Sequence, residues 1–264
     1  MNADFTREKY IQLLRQLKDC GYTSITYSDY CSGLLPIRFV ILRHDVDLKP
    51  QNSLGVAEDE KNIEAKASYY FRAVPESWNE EVIKEIAAMG HEVGYHYESL
   101  TTCKGNIDNA YEDFKMNLEK QRELVPVSTI CMHGSPRSPY DSKDIWKRYD
   151  YKSLDIIGEP YLSTDFSKML YLTDTGRRWD GYKVSVRDKI KGFQEQWDKA
   201  GWSFHSTDDI IRALKEDRLP NQLMITTHPQ RWNDIGMKWV TELIMQNLKN
   251  IVKGLIVKTR NRHD

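Results

Sequence analysis

A barrel of parallel strands with helices on the outside is the α/β fold this sequence predicts, and three observations predict it. Short apolar or β-branched runs alternate with helix-patterned segments, the signature of parallel pairing through helical crossovers. About seven such strand units fall within 264 residues, which favours a barrel over a doubly wound sheet. Several runs end in His, Asp, Glu or Arg, and parallel α/β folds gather their sites at the C-terminal ends of strands.

The elements follow in order. The opening "MNADFTREKYIQLLRQLKDCGY" carries Tyr10, Leu13, Leu14 and Leu17 at helical spacing, so an amphipathic helix is expected within a lead-in over 1–35. The strand runs are "IRFVILRHD", "ASYYFRAV", "HEVGYHYE", "STICMHG", "SLDIIGE", "MLYLTD", a short "GWSFHS" and "QLMITTH", which place the barrel over 36–232. Helical patterns lie between them in "SLGVAEDEKNIEA", "WNEEVIKEIAAMG", "NAYEDFKMNLEKQRELV" and "SKDIWKRYD", with Gly90 as a helix stop. Over 233–264, "WVTELIMQNLKNIVKGLI" predicts a long additional helix packed on the outside, before a basic tail. No repeat, low-complexity tract or Pro/Gly-rich linker divides the chain, so a single domain over 1–264 is expected.

Composition narrows the function classes. With 40% hydrophobic and 29% charged residues the chain can bury a sizeable core, and a net charge of −1 exerts no long-range pull on nucleic acid or anionic lipid. No apolar run approaches the ~20 residues of a membrane span, and the charged N-terminus does not read as an export signal. Cys20, Cys31, Cys103 and Cys131 form no CxxC pair, so reduced thiols and a cytoplasmic location are expected.

The strand ends carry the chemistry. In "RHDVD", Asp45 and Asp47 would repel each other in a dry pocket unless a cation or proton lies between them, and a metal on one leaves the other to act as a base. In "GHEVGYHYESL", His96 and Glu98 share a strand face, and an imidazole with a carboxylate suits Zn²⁺ or a similar first-row ion. His91 and Glu92 lie at the other end of that run and are expected to cap or pack. His133 in "CMHGSPRSPYD" fits three roles: a ligand, a substrate contact, or a strand-end histidine bonded to backbone. Asp174 stands before Arg177, Arg178 and Trp179 in "YLTDTGRRWDG", where an Asp–Arg pairing can orient a base. His228 ends "ITTHPQRW", placed for general acid work if it lies in the mouth. Tyr95, Tyr97, Trp179 and Trp232 flank these motifs, and aromatic faces suit pyranose rings, although such residues commonly pack in cores.

Taken together, the motifs from Val40 to Trp232 resemble, in order, those of the polysaccharide deacetylase superfamily, the NodB-homology or carbohydrate esterase family 4-like proteins. "GHEVGYH" is the most specific match. "RHDVD" stands at the place of the first motif, "MHGSPRSPY" is loosely similar to the third, "TDTGRRW" resembles the fourth, and "ITTHP" the last. The resemblance implies a distorted seven-stranded (β/α) barrel and metal-dependent removal of acetyl groups from an amino sugar or surface-polysaccharide precursor. It also implies a divalent metal, Zn first with Co, Ni or Mn as alternatives.

Carried onto this chain, the resemblance makes Asp45 the base, Asp47 and His96 metal ligands, and His228 the proton donor to the leaving amine. Asp174 would then orient the base, with Trp179, Arg178 and Tyr97 on the substrate side. Three departures stand out, one being that the third motif's Arg is absent from its expected place, where His133 stands. Val46 separates the two aspartates, which are adjacent in the family, and Leu100 occupies the place of the second metal histidine, leaving Glu98 or His133 to complete the site. Two other readings follow: a barrel without catalysis that binds a glycan, and a metal hydrolase acting on a non-sugar amide C–N bond.

Overall fold

The computed structural model describes residues 3–33, 35–135, 138–180, 190, 192–237 and 239–245. Seven parallel strands take part in one sheet: β1 (Thr23–Ile25), β2 (Phe39–Val46), β3 (Ser68–Phe71), β4 (Glu92–Tyr97), β5 (Ile130–Met132), β6 (Leu170–Thr173) and β7 (Gln222–Thr227). Six lie side by side in the order β5-β4-β3-β2-β7-β6. Strand β7 takes one edge of β2 along Phe39–His44. On the other edge, β1 pairs with Phe39–Ile41 and β3 with Arg43–Val46, so β1 lies in line with β3 instead of adding width.

The parallel α/β expectation holds, with the strands in a curled half-barrel sheet. Among the described residues β5 and β6 are the two ends of the path and do not pair. Two expected strands are also absent. "SLDIIGE" contributes a single bridge from Gly158 to Thr129, because Asp155 adopts a left-handed φ of 57° and breaks the extended run. "GWSFHS" is the approach to a helix: Ser206 caps it and Asp209 reaches back, a capping box that ends any extended stretch. The three residues of β1 fall in the expected helical lead-in.

Helices α1 (Arg7–Asp19) and α2 (Tyr27–Ser32) precede β2. Helix α3 (Pro50–Asn62) joins β2 to β3, α4 (Glu80–Ala88) joins β3 to β4, and α5 (Ser99–Thr102) with α6 (Ile107–Arg122) joins β4 to β5. Short α7 (Pro160–Ser163) precedes β6, while α8 (Gln194–Lys199) and α9 (Thr207–Lys215) lead to β7. Helix α1 forms as its spacing predicts: Thr6 caps it by accepting from the Lys9 amide, and Tyr10, Leu13, Leu14 and Leu17 are buried. "SKDIWKRYD" gives a 3-10 helix over Ser142–Lys147. Of the expected C-terminal helix, 239–245 is helical, and the remainder lies outside the described residues.

All eight residues of β2 are buried, as befits a central strand covered on both faces. Burying each side chain of the lead-in Phe39–Leu42 contributes about 1.5–3 kcal/mol. One apolar cluster runs from Phe5 to Trp232. Gly94 belongs to this packing, since a Cβ there would run into the Tyr70 ring and stand 2.8 Å from the Thr129 carbonyl oxygen. The close approach of β3, β4 and β5 sets the strand mouths side by side. Among the described residues, no helix is long and apolar enough to cross a membrane.

Candidate functional site

Strand periodicity sorts β2 into two faces. Arg43 and Asp45 point one way, His44 and Val46 the other, and Asp47 follows just past the strand end. On the Asp45 face the C-terminal ends of β2, β4, β5 and β7 converge on a cavity of about 100 Å³. Asp45, Asp47, His96, His133 and His228 line it, and Tyr161, Thr175 and Arg231 complete its walls. A larger cavity of about 530 Å³ opens among Leu14, Lys18, Tyr22, Val40 and Lys66, around the N-terminal part of β2. Neither group of potential metal-ligating atoms found among the described residues belongs to it, so chemistry rather than volume identifies the site.

Asp47 is the centre of this constellation. Its Oδ1 lies 3.6 Å from His96 Nε2 and 3.4 Å from His133 Nε2, and its Oδ2 lies 3.8 Å from His228 Nε2. Each neighbouring ring is held by its other nitrogen. His96 Nδ1 is 2.9 Å from the Cys131 carbonyl, and His133 Nδ1 is 2.9 Å from Glu98 Oε2. A proton on each Nδ1 leaves the Nε2 lone pairs aimed at a carboxylate oxygen that itself has no hydrogen-bond donor. Protons or a cation must occupy that space. Burial opposes charge on Asp47, yet His133, His96 and His228 hold its carboxyl well below the usual range. Ligand atoms of a tetrahedral site with bonds of about 2.0 Å lie about 3.3 Å apart, so Asp47, His96 and His133 fit a first-row ion. A second group, Asp45, His96 and Cys131, is also close enough, but Arg43 already neutralises its carboxylate.

Every other carboxylate here has its own arginine. Asp45 accepts from Arg43 Nε at 2.9 Å and Nη2 at 2.6 Å. Burial resists ionisation of Asp45, but Arg43 and then His96 override it and hold the carboxyl down to about 2. Glu98 Oε1 accepts two bonds from Arg72, at 2.9 and 2.6 Å. Burial likewise works against Glu98, and His133 with Arg72 brings it to about 2. Asp174 accepts from Arg231 at 2.6 Å, from the Trp232 indole at 2.8 Å, and from the His228 amide at 2.9 Å. Its Oδ1 also takes His228 Nδ1–H at 2.6 Å. Arg231 Nη1 and His228 Nδ1 stand 2.7 Å apart because both donate to that oxygen, and two donors do not bond each other.

Several expected site residues fall elsewhere. Glu98 is not in the ligand group; it buttresses His133. Asp174 orients His228 instead of Asp45, whose orientation comes from Arg43. Tyr97 is fully buried on the helix side of β4, packed on Phe114 and accepting from the Trp146 indole at 2.8 Å. The two-residue strand period that brings His96 inward turns Tyr97 outward. Trp179 is buried against Phe5 and Trp232 and donates to Thr207. Arg178 pairs with Asp180 and does not line the cavity. Leu100 packs with Ala110 and Ile145.

The reading of motifs missed Arg43, Arg72, Arg231 and Tyr161. A signal existed for Arg43, which stands two residues before Asp45 and therefore on its face. Arg231 follows His228 by three residues. Arg72 and Tyr161 reach the site only through the fold.

No family model matches the chain, and no curated protein does. Among solved structures the chain is similar to members of the CE4 carbohydrate esterase family, the family its motifs resemble. A CE4 pseudoenzyme from Bacillus anthracis is 13% identical, with 83% of this chain and 66% of that one covered and a TM-score of 0.40. The CE4 domain of a multidomain xylanase from the hindgut metagenome of Trinervitermes trinervoides is 12% identical, with 84% and 85% covered and a TM-score of 0.41. Bacillus subtilis PdaA, a family 4 carbohydrate esterase, is 12% identical, with 89% and 84% covered and a TM-score of 0.38. Likeness of that degree assigns no chemistry, and the function rests on the side chains.

Proposed function

We propose that this protein is a metal-dependent hydrolase that removes an acetyl group from an amino sugar or surface-polysaccharide precursor. One observation carries the proposal: Asp47 is the site carboxylate without a guanidinium, and its donor-free Oδ1 faces two imidazole nitrogens. Asp47, His96 and His133 would hold a divalent ion, Zn²⁺ first among Zn, Co, Ni and Mn. Bound there, the ion supplies an acidified water at neutral pH and Lewis-acid polarisation of the acyl carbonyl.

The chain's own groups complete the reaction. Asp45 lines the cavity 3.9 Å from His96 Nε2 and would serve as the base toward the attacking water. Arg43 keeps it ionised at any working pH, at a cost in proton affinity. His228 presents Nε2 to the cavity while Asp174 holds its Nδ1–H, the arrangement that supports an imidazolium. It then gives its Nε2 proton to the departing nitrogen. The reading as a glycan-binding barrel without catalysis draws on Leu100, against which His133 offers a nitrogen close to Asp47 and His96.

The test pairs metal content with turnover. Mass spectrometry of protein purified without chelator is expected to find about one equivalent of ion, lost in Asp47→Ala and His96→Ala. On a panel of acetylated sugars, Asp45→Asn and His228→Ala are each expected to lower kcat by about 10²–10⁴-fold. Turnover that survives both, or a wild type that takes up no ion on reconstitution, refutes the assignment. Cleavage confined to non-sugar amides moves it to another C–N substrate.

A further inference from the structure

The family resemblance places a metal histidine where this chain has Leu100, so any third ligand must be held by devices the motifs do not contain. Arg72, one residue past β3, lies between the two ligand-bearing strand ends. Its Nη1 donates to the Asp47 backbone carbonyl at 3.0 Å. Its Nε and Nη2 both donate to Glu98 Oε1, and the other oxygen of Glu98 receives His133 Nδ1–H. The loop that follows tightens the same corner: Ser77 Oγ accepts from the Arg72 amide and donates to the Val46 carbonyl, beside Asp47.

We propose that Arg72 and Glu98 are positioning residues that together lock Asp47 and His133 into one ligand set, with His133 replacing the absent histidine. The proposal rests on the metal reading of the site. A guanidinium can do this because its planar fork reaches a carboxylate with two donors and keeps a third for a carbonyl. A Lys ammonium cannot reproduce that fork. Glu98 fixes the tautomer and rotation of the His133 ring, so that Nε2 and not Nδ1 faces Asp47. The lock fixes the chain that carries Asp47 and the ring of His133, and reaches neither His96, which β5 holds through the Cys131 carbonyl, nor Asp45.

Zn²⁺ and Co²⁺ affinities of the full chain, measured by competition with a chelating dye, test the lock. Glu98→Leu is expected to weaken binding about 100-fold and Arg72→Lys about 10-fold, while Glu98→Gln, which keeps an acceptor for His133 Nδ1–H, loses less than Glu98→Leu. The Co²⁺ absorption bands of Glu98→Leu should shift toward those of His133→Ala, a change that loss of general stability does not produce. Thermal melts of the ion-free variants report folding, and should Glu98→Leu fail to fold, Arg72→Lys and Glu98→Gln decide the matter. Folded variants that bind within about twofold of wild type, with unshifted bands, overturn the lock and leave the metal reading standing. A wild type that binds no ion overturns both.

Discussion

Strand β2 builds a buried histidine–carboxylate cluster on each of its faces, and the two are not alike. On the helix side, His44 Nε2 meets Glu60 Oε1 at 2.7 Å, Tyr10 donates to the same oxygen at 2.5 Å, and Tyr69 donates to Oε2 at 2.5 Å. His44 Nδ1 is paired as well, 2.7 Å from Thr227 Oγ1. Both oxygens of Glu60 and both nitrogens of His44 are satisfied, while His91, edge-on to Tyr69, keeps its Nδ1 3.7 Å from Glu60 Oε2 with no hydrogen-bond partner. On the other face Asp47 lies among three imidazoles with an oxygen that nothing donates to, beside a cavity. A buried His and a carboxylate therefore do not by themselves mark a site. A carboxylate with donors on both oxygens fastens helices to a sheet, whereas one left short of a proton or cation is built to receive something.

The comparison breaks most visibly at Glu60. Replacing it with Leu strands His44 and two tyrosine hydroxyls, and should cost about 3–5 kcal/mol in urea unfolding with the ion stoichiometry unchanged. Asp47→Asn should do the opposite: ion uptake disappears while the ion-free protein still folds in a single cooperative transition. If Glu60→Leu loses the ion as well and Asp47→Asn unfolds the chain, the two faces have been assigned the wrong way round.

A smaller effect sharpens the account of Asp45. Its carboxyl sits at about 2 in the folded chain, below the ~3.9 of an unfolded one. A lowered folded value stabilises above the unfolded value, and that stability disappears as pH falls toward the folded one. Urea unfolding of wild type beside Asp45→Asn should therefore show a gap that is full above about pH 4 and narrows by about 2 kcal/mol toward pH 2. A gap independent of pH would mean that Arg43 does not hold the carboxylate ionised. The least effect is expected at Tyr97, on the helix side of β4. Removing its hydroxyl with Tyr97→Phe leaves the Trp146 indole without its acceptor, for about 1 kcal/mol, and should leave ion affinity and turnover where they were. A changed KM would return Tyr97 to the substrate side.

Parallel strands alternating with helices were legible because apolar runs and helical spacing are local properties. So was the convergence of Asp45, Asp47, His96, His133 and His228, since each ends a strand run and parallel strands share a mouth. Parity within a strand was equally legible: it pairs Arg43 with Asp45 and turns Tyr97 away from His96. The place of β1 was not, because an edge strand is defined by which partner arrives, and β1 settled in line with β3 instead of widening the sheet.

By itself the sequence determined the periodicities, and through them which face of each strand every candidate side chain takes. Only the tertiary structure decided the partners. Three arginines, from the middle of β2, the end of β3 and the turn after β7, each neutralise one carboxylate and leave Asp47 to the imidazoles. It also set Glu98 behind His133, whose Nε2 faces Asp47. Pairing at a few ångströms depends on the register between strands distant in sequence, and no local pattern encodes that distance.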